Sequence, residues 1–292
     1  MNEEKSLYGE CGYVVVRGYI SNSEVDNANS EILEVLKGNR KVVKGGREFK
    51  EKSILDVVSE YMSCHIVHHT SEFFLNLMKH DSARKLLKDL IGENVKCMHS
   101  NYFFKYAGNE SSKGHGWHQD EFFIPTRDRS LTAIWIALDD VSIDTGCLKV
   151  LPGSHKSGVL WPMKEHNDPT LDRSLQSYNF PFEASDCEYL ELSAGDAVAF
   201  NGYLLHGSGQ NKVPLAFRRS LVYFYMSAES LLPWDHTGQR ESSSDCRDIH
   251  MVLGNDPYEY KGYENTSIPY VRKIGASEAD LNHAKKEAKA SF

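Results

Sequence analysis

Residues 131–151 read LTAIWIALDDVSIDTGCLKVL, and this stretch decides the fold class. Aromatic and β-branched residues run to Leu138, an Asp- and Gly-bearing turn interrupts them, and a second short apolar run follows, which is the texture of two strands joined by a loop. Working outward, the same texture returns at 98–106, 197–200, 204–206 and 220–226, each bounded by Gly, Pro, Asn or Asp. Short strands with long interruptions and no strand–helix–strand alternation predict a jelly-roll or cupin-like double-stranded barrel rather than a parallel α/β sheet.

Upstream, Tyr13-Val14-Val15-Val16 reads as a strand, and Ser21 followed by Glu24 predicts a capping box that opens a helix through 31–36. Periodicity predicts further helix over 51–77 and over 82–90, with Gly92 as C-terminal cap. The stretch 161–186 carries Pro162, Pro169 and Pro181 among polar residues and reads as a long inserted loop. Beyond Trp234 the chain is polar, most flexible at Ser242-Ser243-Ser244, and closes on a charged helical pattern over 277–289. The expectation is one mainly β domain over 1–292: a helical flank to about residue 95, a barrel core to about 230 and a C-terminal extension after it.

At 40% hydrophobic and 25% charged residues, the 292-residue chain can bury a core without disulfide support. The six cysteines stand singly and are read as free, mostly buried thiols. A formal charge of −8 without a Lys/Arg stripe argues against a nucleic-acid partner. No apolar run approaches the ~20 residues of a bilayer span, MNEEKSLYGE lacks the basic and apolar regions of a signal peptide, and Ala-Ser-Phe is no Ser-Lys-Leu-type address. A cytoplasmic protein is expected, free of membrane, and either a monomer or a simple homo-oligomer.

In Trp117-His118-Gln119-Asp120, the period of a strand puts the imidazole and the carboxylate on one face, where a single cation could take both. Two His and one carboxylate on one side of iron leave positions open, the facial-triad design of non-haem Fe(II) oxygenases. With 13 His and 41 acidic residues, chance supplies about two His-x-acid pairs, and His166-Asn167-Asp168 is an innocent example beside Pro169. His118-Gln119-Asp120 differs because it lies between strand-like segments. His206, on a short strand before Gly207-Ser208-Gly209, is the candidate third ligand, although a His so placed is more often structural. Arg218 and Arg219 raise it, since they open the next strand and a guanidinium is the side chain best suited to clamp a carboxylate. Neighbours on a strand point to opposite faces, so only one of the two can enter the barrel. His65, His68, His69, His115 and His155 raise the question of a second metal, but their spacing supports no ligand set.

Three segments together resemble the phytanoyl-CoA dioxygenase-like Fe(II)/2-oxoglutarate oxygenases: the WHQD at 117–120, LTAIWIALDDVSIDTGCLKVLPGSHKSG at 131–158, and HGSGQNKVPLAFRRSLVY at 206–223. The opening Gly12-Tyr13-Val14-Val15 is similar too, so the resemblance spans about residues 10–230. It implies a double-stranded β-helix with Fe(II) on His118, Asp120 and His206, and 2-oxoglutarate and O2 as co-substrates, with ascorbate as an optional reductant. It also implies Arg218 on the far carboxylate of 2-oxoglutarate, with Arg219 in reserve because the interval from His206 is one residue longer than in the family pattern. Ser208 and Trp135 match positions that hold or line the 2-oxoglutarate pocket, with turn chemistry and packing as the plainer readings. Lys105 matches a family lysine to which no role is given. Asp120 stands where halogenating relatives carry a small residue, which disfavours halogenation.

The expected activity is oxidation of a C–H bond of a small molecule, hydroxylation by default with desaturation or ring closure open, giving succinate and CO2. The competing readings are a catalytically silent relative that serves as a binding module and a metal hydrolase. An intact triad with an arginine argues against the first, and an arginine where a general base belongs argues against the second.

Overall fold

The computed structural model describes residues 3–41, 43–45, 53, 55–56, 60–108, 110–230, 250–261 and 268–274. Ser242-Ser243-Ser244, the 277–289 pattern and Cys246 lie outside them. Helix α1 (Glu3–Cys11) leads into strand β1 (Tyr13–Val16) and helix α2 (Asn22–Leu36). The capping box forms: Ser21 N–H donates to Glu24 Oε2 at 2.8 Å, and Glu24 N–H donates to Ser21 Oγ at 3.3 Å. Together these bonds satisfy donors that a helix N-terminus otherwise leaves open.

The large sheet is antiparallel. In spatial order it runs β1, β10 (Ala197–Asn201), β5 (Thr132–Ala137), β12 (Phe217–Ser227), β3 (Val95–Tyr106), β2 (Tyr61–His65) and β14 (Tyr270–Lys273), and β13 (His250–Leu253) pairs with one end of β3. The small sheet runs β4 (His115–His118), β11 (His206–Ser208), β6 (Leu148–Val150) and β9 (Glu188–Leu190), and the inserted stretch forms a two-stranded ribbon of its own, β7 (Met163–Lys164) with β8 (Gln176–Ser177). Helices α3 (Glu72–Met78) and α4 (Asp81–Leu90) join α2 on the outer face of the large sheet.

Both faces of β12 are covered, so it reads as a continuous apolar run and its alternation shows only in what each side chain meets. Leu221, Tyr223 and Tyr225 enter the core shared with Ile32, Phe74 and Leu87 of the helices. Val222, Phe224 and Met226 enter the core between the two sheets, with Trp135, Val150 and Phe200. Burying each of the larger apolar side chains contributes about 1.5–3 kcal/mol. The Tyr223 and Tyr225 hydroxyls donate to the carbonyls of Phe74 at 2.8 Å and Met78 at 2.9 Å, so their burial leaves no open donor. Two antiparallel sheets facing each other over this core form the expected double-stranded β-helix.

Two expectations change. Within 51–77, Leu55, Asp56 and Glu60 are helical as expected, but Tyr61–His65 is strand, paired with β3 through Ser63 to Phe103 and Cys64 to Tyr102, and helix resumes only at Glu72. Partners on both sides override a local pattern that Phe73, Phe74, Leu75 and Leu77 make look helical throughout. The polar extension after 230 also contributes strands β13 and β14 to the large sheet. Cys64, Cys97 and Cys147 are buried free thiols, and Cys11 and Cys187 are free and partly exposed. No helix among the described residues is long and apolar enough to cross a membrane.

Candidate metal centre

β4 and β11 are paired so that His118 stands opposite His206. After His118 the backbone stays extended for one residue, Gln119 at φ −127° and ψ 126°, and Asp120 then starts a 3-10 turn. Gln119 points away from its neighbours. Its amide nitrogen donates to the carbonyls of Val159 at 2.9 Å and Tyr203 at 2.7 Å, and its amide oxygen accepts from Trp161 N–H at 2.8 Å. His118 and Asp120 are thereby held on the opposite face, beside His206.

The Nδ1 atoms of His118 and His206 lie 2.9 Å from the carbonyls of Gly116 and Leu204. A carbonyl only accepts, so each Nδ1 carries the proton and each Nε2 presents a lone pair. Both Nε2 atoms face Asp120 Oδ1, at 3.7 Å and 3.8 Å. The donor atoms of all three residues lie within 4.8 Å of one another, and Asp120 Oδ2 is buried without a hydrogen-bond partner. Burial, with His206 and His115 nearby, pushes the His118 imidazolium well below the ordinary range, and burial lowers His206 to about 4. Burial also lifts the Asp120 carboxyl to about 7. Two neutral imidazoles and an unsatisfied carboxylate, all desolvated, are what a divalent cation requires, since its charge stabilises the ionised carboxylate that burial disfavours. The residues fit such an ion.

Ser208, two positions beyond His206 on β11, accepts from Lys105 Nζ at 2.9 Å, and the same ammonium donates to Gly209 O at 2.7 Å. Lys105 stands opposite Arg218 in the β3–β12 register. Both are buried. Arg218 lies over the Trp135 ring, 5.5 Å from its centroid, and donates to Ser220 Oγ at 2.9 Å, while its Nε has no partner. Burial lowers Arg218 to about 10, and burial together with Arg218 lowers Lys105. Arg219 turns to the other face, where its guanidinium pairs with Asp139.

The inserted stretch supplies a residue that no motif singles out. Asp172 Oδ2 lies 3.1 Å from His115 Nδ1 and 3.5 Å from Arg272 Nη1 of β14. Burial opposes its ionisation, but His115 and Arg272 outweigh burial and hold the carboxyl well below the usual range. The His115 ring in turn meets His118 edge-on at 4.4 Å. Nothing in a linear sequence joins Asp172 to Arg272. His166 and Asp168 are not brought to the site: Asp168 is exposed, and its carboxylate accepts from Thr170. Lys164, in the same inserted stretch, lies over the Tyr178 ring.

Residues 8–220 match the family model described as Phytanoyl-CoA dioxygenase (PhyH). The chain belongs to the phytanoyl-CoA dioxygenase family. It is similar to the peroxisomal phytanoyl-CoA dioxygenase of Rattus norvegicus, 27% identical over 240 residues that cover 78% of this chain and 68% of the relative. Among solved structures, it resembles the apo form of the non-haem monooxygenase ThoJ, with a TM-score of 0.66, 16% identity and coverage of 99% of this chain and 94% of that one. It also resembles the epimerase SnoN in complex with Fe3+, alpha ketoglutarate and nogalamycin RO, with a TM-score of 0.61, 20% identity and coverage of 83% and 92%. Both likenesses bear on the fold. As a phytanoyl-CoA dioxygenase family member, the protein is a non-haem Fe(II)- and 2-oxoglutarate-dependent dioxygenase.

Proposed function

We propose that His118, Asp120 and His206 hold Fe(II), that Arg218 with Lys105 and Ser208 anchors 2-oxoglutarate, and that the enzyme oxidises a C–H bond of a small molecule. The observation that carries this reading is the pairing of a three-donor cluster with a buried cation pair on adjoining strands: His206 and Ser208 share one strand, and Ser208 touches Lys105. When bound, the iron together with 2-oxoglutarate and O2 supplies the oxidising power, and succinate and CO2 leave as co-products.

The chain's own residues account for the rest. The two Nδ1–carbonyl bonds orient the imidazoles, and Gln119 fixes the backbone that carries His118 and Asp120. Arg218 and Lys105 offer charge-assisted hydrogen bonds to the far carboxylate, and Trp135 limits the arc through which the guanidinium can swing. Arg219 does not serve as the anchor in this reading, because Asp139 already neutralises it on the opposite face. Hydroxylation is the default outcome, and desaturation and ring closure use the same groups. The proposal treats 1–292 as one catalytic unit, since β13 and β14 add to the sheet that carries Lys105 and Arg218. It places the protein in the cytoplasm, supported by its free buried thiols, with no nucleic-acid or membrane partner, as a monomer or simple homo-oligomer.

The test is anaerobic Fe(II) loading followed by 2-oxoglutarate, O2 and a panel of small-molecule substrates, with succinate measured. Succinate formation that falls to background in Asp120→Ala supports the assignment. Native-rate turnover by Asp120→Ala defeats it.

A further inference from the structure

His68, His69 and His250 bring their ring nitrogens within 4.8 Å of one another, although His250 is about 180 residues further along the chain. His69 Nε2 and His250 Nε2 are 3.1 Å apart. For Zn–N bonds of about 2.0–2.1 Å, tetrahedral geometry sets donor nitrogens roughly 3.3 Å apart, so this pair already has the spacing of two ligands on one ion. The His68 ring meets the His69 ring at 4.6 Å and 77° and the His250 ring at 5.3 Å and 88°, and His69 meets His250 at 5.3 Å and 87°. The three imidazoles stand nearly perpendicular to one another, each with a ring nitrogen within 4.8 Å of the others, instead of packing face to face.

Two further observations separate the cluster from ordinary histidine packing. The first is His68 itself. It is 1% exposed, its Nδ1 lies 2.6 Å from Ser100 Oγ, and its Nε2 is buried with no hydrogen-bond partner. In the tautomer whose Nδ1 donates to Ser100 Oγ, Nε2 is a bare lone pair, the arrangement found when a neighbouring group orients a metal-bound imidazole. The second is the backbone. Ile66, immediately before the Val67–His69 turn, has φ 58° and ψ 40°, a left-handed conformation that a β-branched residue rarely adopts. Its N–H donates to Ser100 O at 2.6 Å and His68 N–H donates to Ser100 Oγ at 3.1 Å, so both sides of Ser100 hold the strained turn in place. Strain that the surroundings enforce concentrates at functional sites.

We propose that His68, His69 and His250 form a second, independent metal site that takes a borderline divalent ion, Zn(II) in the first instance, with water completing the shell. Three imidazole donors favour such an ion over Mg(II) or Ca(II), which prefer oxygen ligands. Ser100 shares one face of β3 with Tyr102 and Phe104, whose side chains enter the core beneath the helices, so the cluster lies on the outer face of the large sheet. The iron-site residues lie on the other side, on the small sheet. A bound ion would fasten β13, through His250, to the turn that follows β2, joining a strand of the C-terminal extension to the N-terminal flank. This inference does not depend on the iron assignment.

The full chain, stripped with a chelator, is titrated anaerobically with Zn(II) and with Co(II) as a spectroscopic probe. Wild type is expected to bind two equivalents. The Asp120→Ala/His206→Ala chain should keep one, with visible Co(II) bands of tetrahedral intensity, and the His69→Gln/His250→Gln chain should keep the other and still form succinate. Two equivalents bound by His69→Gln/His250→Gln, or none by Asp120→Ala/His206→Ala, overturns the proposal. If the histidine double variant fails to fold, X-ray absorption on Zn(II)-loaded Asp120→Ala/His206→Ala decides: imidazole ligands at about 2.0 Å support the site, and thiolate or carboxylate ligands refute it.

Discussion

Lys105 and Arg218 are directly opposed residues on β3 and β12, two buried cations facing each other, and among the described residues neither is ion-paired to a carboxylate. Like charges across a strand pair are unfavourable, and burial sharpens the cost. A dicarboxylate that enters with its own charge removes that penalty, so the arrangement favours a ligand of this class. Arg218→Met is expected to lower kcat/KM for 2-oxoglutarate by roughly 30- to 1000-fold, the range that follows from losing a buried charge pair worth about 2–4 kcal/mol. Arg219→Met should leave the KM for 2-oxoglutarate within about twofold and act on stability instead, through the lost partner of Asp139. Steady-state kinetics with 2-oxoglutarate as the varied substrate separates the two, and a larger kinetic effect at Arg219 would reverse the assignment.

Metal removal has a separate readout. An ion held at 100 times its Kd stabilises the folded chain by about 2.7 kcal/mol, which corresponds to roughly 5–10 °C in Tm for a domain of this size. Anaerobic Fe(II) or Mn(II) is expected to raise the melting temperature of His68→Gln by that amount, because the iron-site ligands are intact there. It should leave the triple variant His68→Gln/Asp120→Ala/His206→Ala unshifted, because neither histidine cluster is complete there. Differential scanning calorimetry with a chelator control measures both, and an equal shift in the two chains would remove the ligand assignment.

How far the sequence reveals this site depends on the range over which each signal acts. The His118–Asp120 relation is local: one extended residue between them sets a common face, and period-two reading captures it. The opposite faces of Arg218 and Arg219 follow from the same rule, although which of them faces inward needs the neighbours Trp135 and Asp139. Lys105 gains a role only when strand register sets it against Arg218 and brings it to Ser208. Asp172 with Arg272, and His68 with His250, are joined by tertiary pairing across about 100 and 180 residues, and no spacing rule reaches that far. The strand Tyr61–His65 was hidden for a related reason, since its strand character comes from β3 and β14 and not from its own pattern.

Asp172 gives a prediction with a definite sign. Its carboxyl titrates below the ordinary range when folded because His115 and Arg272 outweigh burial, so the unfolded chain binds more protons in acid. The stability it contributes is complete above the unfolded value near 4 and is lost progressively as pH falls below it. Asp172→Asn removes the buried carboxylate that His115 and Arg272 face and should cost about 3–5 kcal/mol at neutral pH. The gap between variant and wild type should narrow between about pH 4 and 2. Urea unfolding across that range tests it, and a gap independent of pH would show that the carboxylate's charge is not what stabilises the loop.

Gly207 separates His206 from Ser208, and the two antiparallel strands approach so closely there that a Cβ would lie 2.8 Å from His115 O and 3.2 Å from Gly116 O. Both contacts are backbone atoms of β4, the strand that ends in His118, so they cannot be relieved by turning a side chain. Gly207→Ala must push β11 and β4 apart, and the shift falls on the His118–His206 pair. Displacing a reacting constellation by about 1 Å can cost roughly 100-fold. The expected outcome is a comparable loss of succinate formation with weakened Fe(II) affinity, while the core beneath the helices, on the outer face of the large sheet, keeps the far-UV spectrum native. The control is Gly18→Ala, where nothing lies within 4 Å of the added carbon and only the backbone's positive φ is strained. Gly18→Ala should lose stability without losing iron affinity, and a Gly207→Ala chain that bound Fe(II) as tightly as wild type would show that the spacing of β4 and β11 does not set the geometry of the centre.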